Sequence, residues 1–458
     1  MDFMRKYVLM VVLLGIISEL SGQENNGVIK LSITEAQKYA LENNRNVQSA
    51  KVDVGIATKQ VKENVASGLP QLSLAANYQH QFVVPELSFG PYLDVESLPD
   101  EGYLTKDNFL NAYKESPAVP LGVPDNTTFD FTLSQLIFSG EYIVGLHAAR
   151  VVKQVSEKAL VKTENEMKET VAGTYYMILV LGESIKVLTE SMASVSQTYD
   201  EMSKMNAEGF NEETDVDQIK ISMSNLKRLI TSTESQKEIS IKLLKYQLGM
   251  EFNQPVELTD SLQVFIQEGN MPYLGETIFD VQKNIDYMIL NDRRDISELL
   301  VKRAKSQYLP AISAFYQRHE QTNAPSFNFA VKDLVGLSLN FPIFASGQRS
   351  ARVSQAKLNL QKSELSLQNA EQGLIMEFET ALSNYQTAYN NFITNKESIV
   401  LSKRVYDKTL IKYHEGVSTS FELAQNQSQF LVAETAYYNS ILNLLNAKAK
   451  LDRILGIN

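Results

Sequence analysis

The sequence contains no cysteine and no tryptophan among its 458 residues, and only four histidines. The absence of cysteine excludes disulfide bonds, thiolate nucleophiles and thiolate metal sites. The histidines are scattered without the spacing of metal ligands, so we expect no metal site. We also expect no cofactor, because no phosphate-binding loop and no nucleophile–base pair stands out. The histidines are His80, His147, His319 and His414.

Positive charge is in short supply. The 43 Lys and Arg residues are outnumbered by 54 Asp and Glu residues, which gives a formal net charge of -11. No basic stripe of the kind that binds nucleic acid is present, so we expect no nucleic-acid partner. The acidic residues are spread along the chain as on a solvated helix face. Together with the lack of an evident nucleophile–base pair, phosphate-binding loop or metal-ligand spacing, this pattern indicates a protein that is not an enzyme.

Long hydrophobic runs are missing except near the N-terminus. Arg5 and Lys6 precede an apolar run over residues 7–17, and small and polar residues follow through Gly22. Such a run rises about 16 Å as a helix, which is too short to span a bilayer. It predicts a signal peptide over residues 1–22. No later apolar run is long enough to span a bilayer as a helix. A mature chain that crosses a membrane would therefore use β-strands. A protein that is simply periplasmic is the alternative.

Proline is absent from two long stretches of the chain. No proline lies between Pro124 and Pro255, and none follows Pro342. Because proline breaks helix interiors, these stretches permit very long helices. Apolar residues recur within them at spacings of three and four, which is typical of coiled-coil packing. A continuous helix from Gly140 to Gly209 would rise about 100 Å.

The two proline-poor stretches are built alike. Intervals of 69 and 40 residues recur between glycines, first among Gly140, Gly209 and Gly249 and then among Gly347, Gly416 and Gly456. Three glycines in register indicate an internal duplication.

The duplication predicts two repeats, each made of a helix, two strands and a long helical hairpin. The first repeat covers residues 23–249, with a long loop at 83–128 and a hairpin tip near 209. A linker over residues 250–276 joins it to the second repeat, residues 277–458, whose hairpin tip is near 416.

Alternating apolar and polar residues mark two strands in each repeat. The alternation predicts one apolar face, which packs on a core in a soluble protein and faces lipid in an outer-membrane barrel. Four strands cannot close a barrel, because small barrels need about eight. A cyclic oligomer is the simplest remedy, and three chains would give twelve strands. The apolar rows are Leu72 to Phe82, Phe129 to Leu133, Ile312 to Tyr316 and Val335 to Phe341, each at every second residue.

Several short motifs recur at corresponding places. Leu69-Pro70 and Leu309-Pro310 precede the strands, and Leu-Asn-Phe-Pro-Ile-Phe-Ala-Ser-Gly-Gln occupies residues 339–348. Tyr-His-Glu-Gly at 413–416 is followed by Phe-Glu-Leu at 421–423. With these motifs, at these intervals and in duplicate, the sequence resembles the TolC-like outer-membrane efflux proteins.

The resemblance implies a mainly α fold with β-strands. A homotrimer would form a twelve-stranded β-barrel in outer-membrane lipid, four strands from each chain, continued by a long α-helical coiled-coil barrel in the periplasm. It also implies a passive conduit of a tripartite efflux or type I secretion system, whose partners are a periplasmic adaptor and an inner-membrane pump. The apolar residues at spacings of three and four have an alternative interpretation, which is a soluble periplasmic coiled-coil adaptor or scaffold.

The resemblance also implies a periplasmic entrance at the hairpin tips. Acidic residues beyond the tip glycines would narrow it and favour cations, here Asp215, Asp217 and Glu422. Tyr413 matches a family tyrosine that holds the closed tip through hydrogen bonds, whereas Ser418 replaces the basic partner of that family. The alternative is that the carboxylates only stabilise helix N-termini, where negative charge is favoured.

The hairpin tips are also the expected adaptor contact. The candidate residues are Gly209, Phe210, Gly416 and Val417, and each glycine would permit a tight turn.

Overall fold

The computed structural model describes residues 27–267 and 278–457. Positions 89, 95–106, 108–109, 111–112, 115, 117, 325–327 and 329 within those ranges are not described. The predicted signal peptide and the predicted start of the second repeat at Thr277 lie outside the described residues. Two compact units make up the chain, one within Met1–Asp53, Glu157–Ile289 and Gln368–Asn458 and the other within Val54–Ser156 and Leu290–Leu367.

The described part of the chain is mainly helical, as the sequence predicts. The helices are α1 (Ile33–Asn43), α2 (Arg45–Ala66), α3 (Gly140–Ala207), α4 (Glu213–Leu248), α5 (Leu262–Phe265), α6 (Ile285–Ser306), α7 (Gln348–His414) and α8 (Ser420–Leu455). The strands are β1 (Ile29–Leu31), β2 (Gln71–His80), β3 (Glu86–Leu87), β4 (Tyr92–Leu93), β5 (Tyr113–Lys114), β6 (Val119–Pro120), β7 (Asp125–Ser139), β8 (Val256–Leu258), β9 (Ala311–Gln321) and β10 (Asp333–Asn340).

The first unit begins with a short parallel pair of strands, β1 and β8. Helix α1 follows at Ser32, which forms a capping box with Glu35. The Ser32 amide donates to the Glu35 carboxylate at 2.8 Å, and the Ser32 hydroxyl accepts from the Glu35 amide. Reciprocal caps of this kind satisfy two amide donors that the first helical turn leaves free.

Apolar stripes on the long helices form the cores of the first unit. The stripe predicted on α3 places Val171, Tyr175 and Ile178 in a cluster with Leu244 and Leu248 of α4. The stripe predicted on α8 contributes to a second cluster with α7, whose buried members include Phe378, Tyr385, Phe392, Ile441, Leu444 and Leu451. Helix packing therefore accounts for the spacings of three and four.

Helix α3 also contains the apolar window that by length and composition would suffice to cross a membrane, among the residues described. Of that window, 39% is buried. Because Val171, Tyr175 and Ile178 of the same helix pack in a core, packing explains the apolar character of this helix.

The second unit contains an antiparallel sheet of four strands in the order β10-β9-β7-β2. The register places all four predicted apolar rows on one face. Leu74 lies opposite Phe131, Leu133 opposite Tyr316, and Ala314 opposite Leu337. A bulge between Leu136 and Phe138 interrupts the pairing of β7 with β9.

The opposite face of this sheet is polar and internally hydrogen-bonded. His319 of β9 contacts the Asp130 carboxylate of β7 at 2.7 Å. Gln321 donates to the amide oxygen of Asn126 at 2.7 Å. In these pairs each polar group has a hydrogen-bonding partner, which an apolar environment such as lipid or a protein core would not supply.

The segment that joins β2 to β7 carries two short antiparallel pairs, β3 with β6 and β4 with β5. It corresponds to the long loop predicted over 83–128. Strand β7 begins at Asp125, so the last residues of that range belong to the sheet.

Candidate functional site at the ends of the helical hairpins

The turn between α3 and α4 is built around Gly209. Its φ of 80° is one that only glycine adopts readily, and its amide donates to the Asn206 carbonyl at 2.9 Å. The Phe210 amide donates to the Met205 carbonyl at 2.9 Å. Next to the glycine, the Phe210 side chain is 74% exposed, so it is available to a partner.

The turn between α7 and α8 has the same construction. Gly416 has a φ of 73°, and its amide donates to the Tyr413 carbonyl at 3.0 Å. The Val417 amide donates to the Lys412 carbonyl at 2.8 Å, and the Val417 side chain is 75% exposed. Each hairpin therefore ends in a glycine followed by an exposed apolar side chain.

Two of the predicted entrance carboxylates occupy equivalent helical positions. Asp215 is the third residue of α4, and Glu422 is the third residue of α8. Thr419 caps α8 by accepting from the Glu422 amide at 3.2 Å, and Ser418 donates to the Glu422 carboxylate at 2.7 Å. Both carboxylates lie in first helical turns, where they complement the helix dipole.

Side chains of the two hairpins meet near these turns. The Ser420 hydroxyl, at the start of α8, donates to the Asp215 carboxylate of α4. His414, the last residue of α7, lies 2.9 Å from the Glu201 carboxylate of α3. Below these polar contacts Met202, Ile219, Leu423, Tyr406 and Phe430 pack in one apolar cluster. The ends of the hairpins are thus joined by a hydrogen bond, a histidine–carboxylate contact and a shared core.

Tyr413 packs at the edge of this cluster. Burial raises the pKa of its hydroxyl above the ordinary value, and the carboxylates of Asp215 and Glu201 raise it further. The hydroxyl therefore stays protonated at physiological pH and remains a hydrogen-bond donor.

The remaining predicted entrance residue behaves differently. Asp217 is exposed, whereas Asp215 is half-buried against Ser420. Sequence reasoning missed Ser420, His414 and Glu201. A polar residue at the start of one helix and a histidine–carboxylate contact across hairpins have no signature in local spacing.

The described residues contain no group of three His, Asp or Glu side chains placed to hold a metal ion. The carboxylates at the hairpin ends are separately engaged with serine hydroxyls and with His414. The arrangement suits attraction of cations and contact between helices rather than bond-making chemistry.

Comparisons with known proteins agree with this architecture. Residues 293–457 match the family model described as outer membrane efflux protein. No curated protein matches the sequence.

Solved structures match nearly the whole chain. A structure of CusC, described in terms of folding and transmembrane channel formation, has a TM-score of 0.73 at 14% identity and covers 95% of both chains. The CmeC outer membrane channel of Campylobacter jejuni has a TM-score of 0.71 at 17% identity, covering 93% of this chain and 85% of that one. The outer membrane protein VceC of Vibrio cholerae has a TM-score of 0.69 at 14% identity, covering 93% of this chain and 96% of that one.

At these identities the structures establish the fold, and the family model matches residues 293–457. The match of residues 293–457 to the outer membrane efflux protein family, together with the shared fold, confirms the resemblance to TolC-like outer-membrane efflux proteins that the sequence motifs indicate.

Proposed function

We propose that the chain is one subunit of a trimeric outer-membrane export channel, a passive conduit from the periplasm to the exterior. The observation that carries the proposal is the four-stranded sheet of the second unit. One face is apolar and exposed, and the other is polar and hydrogen-bonded. A sheet of this kind suits lipid on one side and water on the other.

The apolar face is too exposed for a sheet that packs on a core of its own. Leu72 is 74% exposed, Leu337 is 77% exposed and Val335 is 78% exposed. A contiguous apolar surface of this kind marks a membrane or protein interface. Apolar side chains alternate over most of this face, while the charged Arg318, Glu320 and Asp333 lie together toward one end of it, so lipid is the surrounding that fits the apolar part.

The edges of the sheet are open within one chain. Strands β2 and β10 are the end strands of the described sheet, so each presents unpaired amides and carbonyls on one side. Backbone groups in a bilayer must be hydrogen-bonded, which requires a closed barrel. Three copies would join β10 of one chain to β2 of the next and give twelve strands.

The hairpin ends supply the periplasmic entrance in this proposal. Asp215, Asp217 and Glu422 would attract cations there, and Tyr413 would hold the closed state together with Ser420. The exposed Phe210 and Val417, with the turns at Gly209 and Gly416, would contact a periplasmic adaptor that links the channel to an inner-membrane pump. The pump would supply the energy and choose the substrate.

Cysteine cross-linking tests the closed barrel, since the chain has no cysteine of its own. Ala76→Cys on β2 is combined in turn with Val335→Cys, Leu337→Cys and Leu339→Cys on β10. Oxidation of outer-membrane fractions is expected to give covalent dimers and trimers for at least one of these pairs, because scanning β10 covers the unknown register.

The matched control is the pair Ala76→Cys and Phe129→Cys, which face each other within one chain. It is expected to cross-link without any gain in mass. If no β2–β10 pair yields a larger species, and the protein fractionates as a soluble periplasmic monomer, the reading returns to a coiled-coil adaptor or scaffold.

A further inference from the structure

Helix α8 carries a buried carboxyl group about four turns beyond its first residue. Glu434 is 2% exposed, and neither of its carboxyl oxygens has a hydrogen-bond partner in the part of the chain that the structure describes. A lone carboxylate is costly in such a place, because burial removes its water without supplying a donor. The packed helix therefore favours the protonated form.

The position of Glu434 along α8 lies between two apolar clusters. Phe430, one turn before it, packs with Leu188 and Val195 of α3. Ile441, two turns after it, belongs to the cluster formed with α7. The buried carboxyl thus lies between two apolar clusters of the packed helices.

A second buried polar side chain shares this face of the helix. Gln427 is 3% exposed, lies seven residues before Glu434, and has no acceptor for its amide nitrogen among the described residues. A separation of seven residues returns to the same helix face. The packed face of α8 therefore contains two buried side chains, Gln427 and Glu434, whose unpaired polar atoms would be stabilised by contact with water.

The nearest charges on α3 are negative. Glu190 of that helix repels an ionised Glu434, and burial together with this repulsion raises the pKa of Glu434 to about 7. Glu183, also on α3, adds negative charge close to Tyr438 of α8. Burial and these carboxylates hold the pKa of the Tyr438 hydroxyl well above its usual range, so this residue stays neutral.

The other neighbouring helices contribute cations near α8, namely Lys396 and Lys403 of α7 and Arg228 of α4. On α7, Lys403 pairs with Asp407 at 3.1 Å, and the ammonium of Lys396 lies 5.9 Å from the centre of the Phe392 ring. Arg228 of α4 lines the groove between α4 and α8 beside Thr435. Among the described residues none of these cations forms an ion pair with Glu434.

We propose that Glu434 is a proton-dependent switch for the packing of α8. The protonated side chain keeps α8 packed against α3 and α7, whereas the ionised side chain favours conformations in which the helix has shifted and the carboxylate reaches water. Because Ser420 of the same helix holds Asp215, such a shift would also loosen the joined hairpin ends. That effect on the entrance rests on the proposed channel function, whereas the packing change itself does not.

The sign of the pH dependence follows from the two values of the carboxyl pKa. It is 4.5 when the side chain is released to water and about 7 when it is packed. The packed state is therefore penalised increasingly as the pH rises from 4.5, and the full penalty is present above 7. The packing of α8 is therefore favoured at low pH and weakened at high pH.

Hydrogen exchange on the intact detergent-extracted protein tests the switch. Peptides that cover residues 423–441 are followed between pH 5.5 and 8.5, with rates corrected for the intrinsic pH dependence of exchange. Their protection is expected to fall about 30-fold over this range, the ratio that two-state linkage gives for these two pKa values. Glu434→Gln, which cannot ionise, is expected to abolish this fall.

Two further variants complete the test. Glu397→Gln on α7 makes the same change of charge at an exposed position and is expected to leave the pH dependence intact. Glu190→Gln is expected to make the fall in protection smaller and complete at lower pH, because Glu190 repels the packed carboxylate and so raises its pKa. A wild-type protection that does not vary with pH, or a Glu434→Gln protein that varies like the wild type, overturns the proposal.

Discussion

Asp215 and Glu422 are placed to serve a helix end and, in the proposed channel, a pore. Each is the third residue of its helix, where a carboxylate is worth about 0.3–1 kcal/mol to the helix end. Each also belongs to the hairpin end that would form the entrance. The two roles are compatible, because the same negative charge can complement the helix dipole and attract cations.

The double variant Asp215→Asn, Glu422→Gln separates the two roles. We expect the preference for cations over anions to fall by about twofold or more, because the entrance loses charge that concentrates cations. The measurement is the reversal potential across a planar bilayer under a salt gradient. The control is Glu397→Gln, which removes one exposed charge from α7 and is expected to leave the reversal potential unchanged. A double variant with unaltered selectivity, but a lowered melting temperature, would leave the carboxylates with a purely structural role.

At the scale of elements, a single buried tyrosine joins the N-terminal strand pair of the first unit to its longest helix. Tyr175 of α3 is fully buried, and its hydroxyl lies 2.9 Å from both the Leu31 carbonyl and the Asp260 carboxylate. The same carboxylate accepts from the Ile33 amide at 2.7 Å, at the start of α1. One hydroxyl and one carboxylate thus tie β1, α1 and α3 together.

Tyr175→Phe removes the hydroxyl and leaves the ring in place. The first unit is expected to lose about 1–3 kcal/mol of stability, because the Asp260 carboxylate and the Leu31 carbonyl lose a buried partner. Thermal melting of the detergent-extracted protein measures this loss, with Tyr246→Phe as the control, since Tyr246 is 62% exposed. Equal melting temperatures for the two variants would contradict the tie.

The elements differ in how far the sequence could predict them. The faces of β2, β7, β9 and β10 follow from alternation, because a strand repeats every two residues whatever its partner. The turns at Gly209 and Gly416 follow from glycines in register. The contact between Ser420 and Asp215 does not, since it joins residues 205 positions apart. The burial of Glu434 was equally hidden, because a glutamate on a long helix normally faces water.

At the scale of the whole molecule, the main feature is that the four-stranded sheet is incomplete within one chain. The four strands have an apolar face, which lipid would cover, and two open edges in the described chain, which would leave backbone groups unpaired in a bilayer. Closure by further copies, as proposed, would pair both edges. The fold shared with CusC, CmeC and VceC is consistent with that solution.

Single-channel recording tests the central claim most directly. The detergent-extracted protein is added to a planar bilayer, and the current is followed at fixed voltage. The account predicts stable stepwise openings with a preference for cations. A protein that is recovered intact and soluble, and that never conducts, would contradict the channel.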